Sequence, residues 1–475
     1  MTASVCNEFE GLNLQSRKHT WKLGSYLGRG TCSVVVEACG SITSNHSQKK
    51  SRDIKAAVKI FKQGLHFDVA GANEIEILEY LKSQRDFNEK GYVVQLLDYF
   101  SYKGQMLLAY EKLTCNLHHI LVKNSGKGLP LFIITKCSRH ILSGLNFLTT
   151  HKVVHGDVKM SNIMWNANSG RFQLVDFGLS FLLENQPYQS FQSSGYRSPE
   201  GHLWNRLLDS GCADPRISGC CCASDMWSFA YVLWYLYAGN PASRLETDKQ
   251  VCETCSMAED THCMHFKSLQ IELPQDERKI ILEQHELFLD LIKRMIKCRT
   301  KDRISPSAAL QHSFLAIADV PSRLSDMMLL PTTTLLLENI DPENDCMEHL
   351  KEMCAKFGVV RGLISGCDEK VLVEYRDADN CSQAHRALTG WVLNDRTIIT
   401  SYFPTGKTTI PGFFSPVPPG YDSESTDDEF RKRSRRDSFT DSYGKCLKQG
   451  GAGPSLGSEF PGDNIALANN RLPEV

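Results

Sequence analysis

Four polar side chains near the middle of the chain form a set suited to one kind of chemistry. Asp157, Lys159 and Asn162 lie within six residues, and Asp176 begins an Asp-Phe-Gly run a short hairpin later. Carboxylate and amide oxygens bind hard cations such as Mg²⁺, and a carboxylate can also accept or orient a hydroxyl proton. The set predicts phosphoryl transfer, with Asp157 and Lys159 as catalytic residues and Asn162 and Asp176 as metal ligands.

The spacing of these residues is more specific than their types. H-x-D-x-x-x-x-N followed by D-F-G is the pattern of the catalytic and metal-binding loops of protein kinases. Strand-like runs at 152–154 and 173–175 flank the two motifs. A lone H-x-D occurs often by chance, but the two motifs together indicate a kinase that uses ATP and Mg²⁺ as cofactors.

Residues upstream of these motifs predict the nucleotide site. The run L-G-R-G-T-C-S-V-V at 27–35 is a glycine-rich loop with Ser33 at its third glycine position. Glycines let the backbone pass close to phosphates. Lys59, in an A-V-K-I strand, is expected on the α- and β-phosphates and paired with Glu74 of a predicted helix, with Glu76 as the rival partner.

The far side of the nucleotide pocket is expected at the end of a later strand. Tyr110 would close the back of the pocket, and the backbone of the three residues after it would hold the adenine. The predicted nucleotide-binding residues are Leu27, Gly28, Gly30, Ser33, Val35, Lys59, Glu74, Tyr110, Glu111 and Leu113.

Gly156 stands where many kinases have an arginine that binds a phosphate on the activation segment. Glycine cannot do so, and the sequence therefore predicts activity without phosphorylation of that segment. Ser190, Ser193 and Ser194 remain candidate modification sites of lesser effect.

Two charged residues of the same region have predicted structural roles. Glu200, in a Ser-Pro-Glu run, is expected to form a buried ion pair with Arg303. Asp225 begins a long apolar helix and is expected to hold the backbone of the catalytic loop.

The length of 475 residues predicts two or three domains. The expected class is α+β: a mobile leader at 1–20, a bilobal kinase fold at 21–315, a β-α-β-β-α-β domain at 329–405 and a disordered tail at 406–475. The tail is rich in Gly, Pro, Ser and charge and lacks apolar periodicity. Its basic cluster at 431–436 is either a nuclear-import signal or a solvated charge run.

Composition limits the location and the bulk partners of the chain. The net charge is −2, and no apolar run approaches the length of a membrane helix. The N-terminus lacks a basic-then-apolar signal pattern. We therefore expect nucleus and cytoplasm, no membrane partner, and reduced thiols for the 18 cysteines.

The element order predicted for 329–405 is that of the RNA recognition motif. RNA binding needs aromatic rings on the two central strands, but Leu336, Lys370 and Leu372 occupy those positions, while Tyr375 falls at a core position. The segment holds twelve Asp and Glu against seven Lys and Arg, a net charge of 7 − 12 = −5. Such a surface is unfavourable for phosphate backbones, so RNA is not the expected partner.

The chain resembles the family of the kinase interacting with stathmin, whose C-terminal domain is a U-two auxiliary factor homology motif (UHM). The resemblance covers about residues 20–405. It is carried by the serine of the glycine-rich loop, the glycine in H-x-D, the G-Y-R-x-P-E end of the activation segment, the junction at 328–332 and the Y-F-P run at 402–404. It implies a Ser/Thr kinase acting on splicing factors and other regulatory proteins, often at Ser-Pro sites.

The resemblance also implies that the second domain binds basic peptides that contain a tryptophan. Its acidic helix is present as Glu343, Asp345, Glu348 and Glu352, which would attract a basic peptide. The family's Arg-x-Phe clamp is replaced by Trp391 and Leu393. Either this pair forms a different apolar contact, or Trp391 packs on its own domain.

Three alternatives remain open from the residues alone. The first is a pseudokinase scaffold that binds nucleotide and partners, and the second is a kinase that its C-terminal domain targets to RNA. The third concerns Cys252-x-x-Cys255 and the following His262, Cys263 and His265, which form either an irregular polar insertion or a zinc site with loose spacing.

Overall fold

The computed structural model describes residues 9–42, 54–86, 91–185, 189–214, 219–239, 275–316, 329–340, 347–365, 369–394 and 396–403. The described residues fall into three parts: a sheet lobe (9–111), a helical lobe (114–316) and a C-terminal domain (329–403). The hinge segment, 111–113, joins the two lobes. In the described ranges, no helix has the length and apolar character needed to cross a membrane.

The sheet lobe is built on one antiparallel sheet. Alternation in its central strand buries Ala56, Val58 and Ile60 on one face, which leaves Lys59 on the opposite face. Within the described ranges, the strand order is β1-β2-β3-β4-β6-β5, and one long helix, α1, contacts β4, β5 and β6. The elements are β1 Asn13–Gln15, β2 His19–Arg29, β3 Ser33–Ile42, β4 Ile54–Phe61, α1 Leu65–Ser83, β5 Leu96–Tyr102 and β6 Gln105–Glu111.

The helical lobe packs around two apolar helices. Helix α3 is amphipathic and buries one stripe, whereas α5 is buried along nearly its whole length. Short two- to four-residue strands hold the loops that carry the chemistry. The elements are β7 Cys115–Asn116, α2 Leu117–Lys123, α3 Leu131–Thr150, β8 Val153–Val154, β9 Ile163–Asn166, β10 Arg171–Leu174, β11 Phe181–Leu182, α4 Pro199–Asp209, α5 Cys222–Ala238, α6 Gln275–Met295 and α7 Pro306–Ala309.

The C-terminal domain has a four-stranded antiparallel sheet with the order β13-β14-β12-β17. Both described helices share one core with these strands, so they cover the same face of the sheet. Tyr375 is fully buried in that core. The elements are β12 Thr334–Glu338, α8 Met347–Ala355, β13 Val360–Ser365, β14 Lys370–Tyr375, α9 Ala378–Leu388, β15 Val392–Leu393, β16 Arg396–Thr397 and β17 Ile399–Phe403.

Several predictions fall on residues that the structure does not describe. These are the start of the acidic helix with Glu343 and Asp345, the first eight residues of the leader, the tail after 403, and the zinc candidates at 252–265. The rest of the leader is described, and the prediction that it is mobile is wrong there, because Asn13–Gln15 pairs with β2 and Phe9 and Leu14 are buried in the core of the sheet lobe. Across the described ranges, no three His, Cys, Asp or Glu side chains cluster as a metal site. Cys298 is disulfide-bonded, so the expectation of reduced thiols is wrong at this position.

Candidate active site

Lys59 lies at the centre of a buried ionic network. Its Nζ is 2.7 Å from Glu74 Oε2 and 2.7 Å from Asp176 Oδ1. Burial by itself would lower the Lys59 pKa, but the Asp176 and Glu74 carboxylates outweigh burial and raise the pKa. The ammonium is therefore fixed in its charged form between strand β4, helix α1 and the Asp-Phe-Gly run. The rival Glu76 is not part of this network.

Two further hydrogen bonds, besides the ion pair with Lys59, hold the Glu74 carboxylate. The residue is fully buried. The Tyr110 hydroxyl donates a hydrogen bond to Glu74 Oε1 at 2.8 Å, and the Phe177 backbone N–H donates to the same oxygen at 3.3 Å. The residue expected to close the back of the nucleotide pocket thus also fixes the helix glutamate. The sequence carries no signal for this bond.

We expect Tyr110→Phe to lower kcat/KM for ATP about three- to tenfold, because a buried carboxylate loses a hydrogen-bond donor. Tyr80→Phe is the matched control. Tyr80 lies on helix α1, like Glu74, but its hydroxyl donates a hydrogen bond to the His151 carbonyl at 3.3 Å and not to Glu74. Steady-state kinetics with varied ATP should separate the two variants. Equal kinetic constants for both would show that the Tyr110 hydroxyl does not position Glu74.

The glycine-rich loop is the hairpin between β2 and β3. Gly30 N–H donates to the Ser33 carbonyl at 2.8 Å, and Ser33 is buried. A Cβ added at Gly28 would meet no atom within 4 Å, so this position borders open space. Leu27 is half-exposed beside it, and Val35 pairs with Gly28 across the hairpin. What Gly28 supplies here is clearance for a ligand that approaches the backbone.

The hinge side chain of Glu111 points towards the helical lobe. Its Oε1 accepts from Gln173 Nε2 at 2.9 Å and its Oε2 from Asn166 Nδ2 at 3.1 Å. Burial raises the pKa of this carboxyl. Since the side chain is engaged there, Glu111 offers an adenine its backbone only. Leu113, the other expected hinge contact, is buried.

Asp225 holds the backbone of the catalytic loop. Asp225 Oδ2 accepts a hydrogen bond from the His155 backbone N–H at 2.8 Å, and Asp225 Oδ1 accepts one from the Gly156 backbone N–H at 3.0 Å. Burial lowers the pKa of His155, which keeps the imidazole neutral. Its Nδ1 then accepts from Asp157 N–H at 3.2 Å, and its Nε2–H donates to the Val175 carbonyl at 3.2 Å. One histidine thereby joins the catalytic loop to the Asp-Phe-Gly run.

Asp157 is almost fully buried. Lys159 Nζ is 2.7 Å from its Oδ2, and Asn162 Nδ2 donates to the same oxygen at 3.0 Å. Asp176 lies at the other end of the site, with a left-handed φ of +66° and a carboxyl that is 43% exposed. The structure thus gathers Lys59, Asp157, Lys159, Asn162 and Asp176 around one space between the lobes.

Ser193 belongs to this site, a role that the sequence analysis did not assign. Its hydroxyl donates to Asp157 Oδ1 at 2.6 Å and lies 3.0 Å from Lys159 Nζ. A phosphate on Ser193 would bring negative charge against Asp157, whereas the neighbouring Ser190 and Ser194 are exposed. Ser193 lies five residues before Ser198, the first residue of the Ser-Pro-Glu run, and a lone serine at this place does not by itself indicate a bond to Asp157.

Gly156 has a left-handed φ of +76°, and a Cβ there would lie 2.7 Å from the Leu179 carbonyl oxygen. Any side chain is therefore strained at this position. The activation segment is ordered instead by a neutral amide. Gln192 N–H donates to the Gly156 carbonyl at 3.0 Å, its Nε2 donates to Ser228 Oγ at 2.7 Å, and its Oε1 accepts Ser198 N–H at 2.9 Å.

Comparison with known proteins agrees with this geometry. The protein kinase domain model matches residues 21–315. This chain belongs to the protein kinase family. The serine/threonine-protein kinases Kist of Rattus norvegicus and Homo sapiens are each 28% identical over 411 residues, which cover 82% of this chain and 93% of those proteins. The probable serine/threonine-protein kinase dyrk2 of Dictyostelium discoideum is 30% identical over 224 residues, 47% of this chain and 22% of that protein.

The enzyme is accordingly a Kist-like protein serine/threonine kinase with a bilobal kinase fold. Its substrates are ATP and a protein, and a divalent metal, typically Mg²⁺, neutralises phosphate charge when bound. The donor set fits such an ion. Asp176 and Asn162 would hold it through oxygens, and because no cluster of three ligands exists in the described ranges, nucleotide phosphates and water would complete the coordination.

The roles of the protein groups follow from their contacts. Lys59, fixed by Glu74, is placed to bind phosphate oxygens from the sheet lobe. The Asp157 carboxylate, which is held on one side by Asn162 and on the other by Ser193, is suited to accept or orient the proton of an incoming hydroxyl. Lys159 Nζ lies beside that carboxylate, where it can neutralise charge that develops on the transferring group.

Proposed function

We propose that this kinase phosphorylates Ser or Thr on regulatory or splicing-related proteins, in the nucleus and cytoplasm, and that its C-terminal domain recruits them as a UHM-like, peptide-binding variant of the RNA recognition motif. The alignment with Kist supports the preference for Ser or Thr, and because it spans 82% of the chain it extends past the kinase match at 21–315 into the C-terminal region.

The sheet order and the two helices of the C-terminal domain support an RNA-recognition-motif type of fold. Numbered within the domain, the order is 2-3-1-4 with all neighbours antiparallel, the arrangement of split β-α-β folds. The positions where RNA would stack are aliphatic. Leu336 is 1% exposed and packs with Phe403 and Leu372. This face therefore lacks rings that are open to bases.

The observation that carries the peptide-binding proposal is the exposed Trp391. It is 43% exposed, and the adjacent Val392 is 58% exposed. Leu393 differs, because it packs against the core of its own domain. Glu348 and Glu352 are exposed on α8, which lies on the same side of the sheet as α9. An exposed indole and an acidic helix suit a basic ligand with an aromatic or apolar anchor.

Peptide titration of the full-length chain tests this proposal. A basic peptide with one tryptophan should bind with a micromolar Kd by fluorescence anisotropy. Trp391→Ala, or the pair Glu348→Lys and Glu352→Lys, should weaken binding at least tenfold, a loss of about 1.4 kcal/mol. The same peptide with alanine in place of tryptophan is the control ligand. Equal binding by the wild type and by these variants, or tighter binding of single-stranded RNA, would contradict peptide recruitment by this surface.

A further inference from the structure

The C-terminal domain contacts the kinase at the hinge. Asp379, in the first turn of α9, has its Oδ2 2.9 Å from Lys55 Nζ and 3.4 Å from Lys112 Nζ. Lys55 belongs to strand β4 of the sheet lobe, and Lys112 lies within the hinge segment itself. Asp377 Oδ1 is 3.7 Å from Lys55 Nζ, and Lys112 also pairs with Glu37 of β3 at 2.8 Å.

The same end of α9 contacts the helical lobe. The Ala378 backbone N–H donates to Asn168 Oδ1 at 3.0 Å. Ala378 is 4% exposed and belongs to the apolar core that the two lobes share. The first turn of α9 therefore contacts both lobes: Asp379 pairs with Lys55 of the sheet lobe, and the Ala378 backbone is bonded to Asn168 of the helical lobe.

The segment that leads into the domain is anchored in the helical lobe as well. Trp165 Nε1–H donates to the Pro331 carbonyl at 2.7 Å. Leu329 and Leu330 are 7% and 5% exposed and lie in the same apolar core as Ala378. The described residues of kinase and C-terminal domain accordingly fall within one compact unit.

Contacts with both lobes at once limit how the lobes can move. Kinases bind and release nucleotide between two lobes that open and close about the hinge. A body that is bound to β4, to the hinge segment and to the helical lobe opposes rotation of one lobe against the other. We propose that the C-terminal domain is a brace on the hinge, which holds the lobes at the angle that binds ATP.

The charges at this contact are matched. Burial by itself would raise the Asp379 pKa, but the hydrogen bond from Lys55 and the charge of Lys112 outweigh burial and lower the pKa. The carboxylate is thus ionised between two ammonium groups. Single ion pairs at a partly exposed site contribute little, but these pairs are joined to the buried anchors Ala378, Leu329 and Leu330.

The brace is separate from the surface proposed to bind peptides. The polar contacts of α9 with the kinase described above lie in its first turn, and Lys123 of the helical lobe lies 5.7 Å from the centre of the Tyr402 ring on β17. Trp391 follows the end of α9, and Glu348 and Glu352 lie on α8. A failure of peptide binding would therefore leave the brace untouched. Conversely, loss of the brace would change ATP kinetics without changing the affinity for a peptide.

Charge reversal in the full-length chain tests the brace. Asp379→Lys should raise KM for ATP about three- to tenfold, because two attractive pairs become repulsive. Lys55→Glu should act in the same direction from the kinase side, and the double variant Lys55→Glu/Asp379→Lys should recover part of the loss, because it restores the attraction between positions 55 and 379 but sets like charges against Lys112 and Asp377. Glu374→Lys, the same charge change at an exposed position on β14, should leave KM for ATP unchanged.

Lys55→Ala removes the ion pairs of Lys55 with Asp379 and Asp377 while the C-terminal domain keeps its own sequence, so it covers the case in which Asp379→Lys does not fold. We expect it to raise KM for ATP in the direction of the reversal variants. Two results would overturn the brace: a wild-type KM for ATP in both Asp379→Lys and Lys55→Ala, or a double variant no better than its worse parent.

Discussion

Asp157→Asn should reduce kcat for phosphoryl transfer about 10²- to 10⁴-fold, the range that a positioned acid–base group contributes. Asparagine keeps the size of the side chain but loses the charge that faces Lys159 and one acceptor for the Ser193 hydroxyl or Asn162. Since Lys59 and Asp176 are unchanged, we expect the affinity for ATP to stay within about twofold of wild type. Phosphate incorporation into a protein substrate and nucleotide binding, measured separately, check both halves.

Asp209→Asn is the matched control for this variant. Asp209 is an exposed residue at the end of α4, and its substitution should alter neither kcat nor thermal unfolding. If Asp157→Asn retained the wild-type kcat, Asp157 would not be the catalytic group.

Glu200→Gln should lower the free energy of unfolding by about 3–5 kcal/mol, because it leaves a buried guanidinium without its counter-charge. Arg303 has no exposed side-chain surface, and its Nη1 and Nη2 lie 2.6 and 2.7 Å from the two Glu200 carboxylate oxygens. Ser224 Oγ donates to Glu200 Oε1 at 2.6 Å, and the guanidinium also lies 5.1 Å from the centre of the Trp227 ring. Urea denaturation measures the loss.

The double variant Glu200→Gln/Arg303→Met provides the control. Removing both charges leaves no unpaired buried ion, so its loss of stability should be smaller than that of Glu200→Gln alone. A loss under about 1 kcal/mol in Glu200→Gln would show that the pair contributes no more than an exposed one does.

The ion pair between Glu200 and Arg303 also determines how the stability of the folded protein changes with pH. Burial by itself would raise the Glu200 pKa, but the hydrogen bonds from Arg303 outweigh it, and the pKa lies below its ordinary value of 4.5. A depressed pKa in the folded protein means that the contribution to stability is complete above pH 4.5 and is lost as pH falls below that value. In Glu200→Gln this part of the acid dependence should disappear.

Local patterns were sufficient for the helices that carry Glu74 and Asp225 and for the order of the main strands and helices of the C-terminal domain. The spacing of apolar residues predicts a helix at 131–151, and α3 ends one residue earlier, at Thr150. The sequence predicts the last strand of the C-terminal domain at 397–403, but the strand begins at Ile399, because Arg396–Thr397 pairs with Val392–Leu393 in a separate ladder. The choice between two possible partners for a strand depends on tertiary packing, which a local pattern does not contain.

Motif residues and their partners differ in how far the sequence determines them. The spacing of Lys59, Glu74 and Asp176 belongs to one fold, so their convergence follows once that fold is recognised. The bond from Ser193 to Asp157 joins residues 36 positions apart, and the contact between Lys112 and Asp379 joins residues 267 positions apart. A single hydroxyl or charge has many possible partners at such distances, and only the folded chain selects one.

The hydroxyl of Tyr110 has a consequence for inhibitor chemistry. Compounds that extend from the adenine site past this residue must displace a side chain that is bonded to Glu74 at 2.8 Å. Replacing Tyr110 with a small residue, to make room for a bulky nucleotide analogue, would remove the same hydrogen bond to Glu74. In this kinase, selectivity for a bulky analogue and the ordering of helix α1 therefore depend on one side chain.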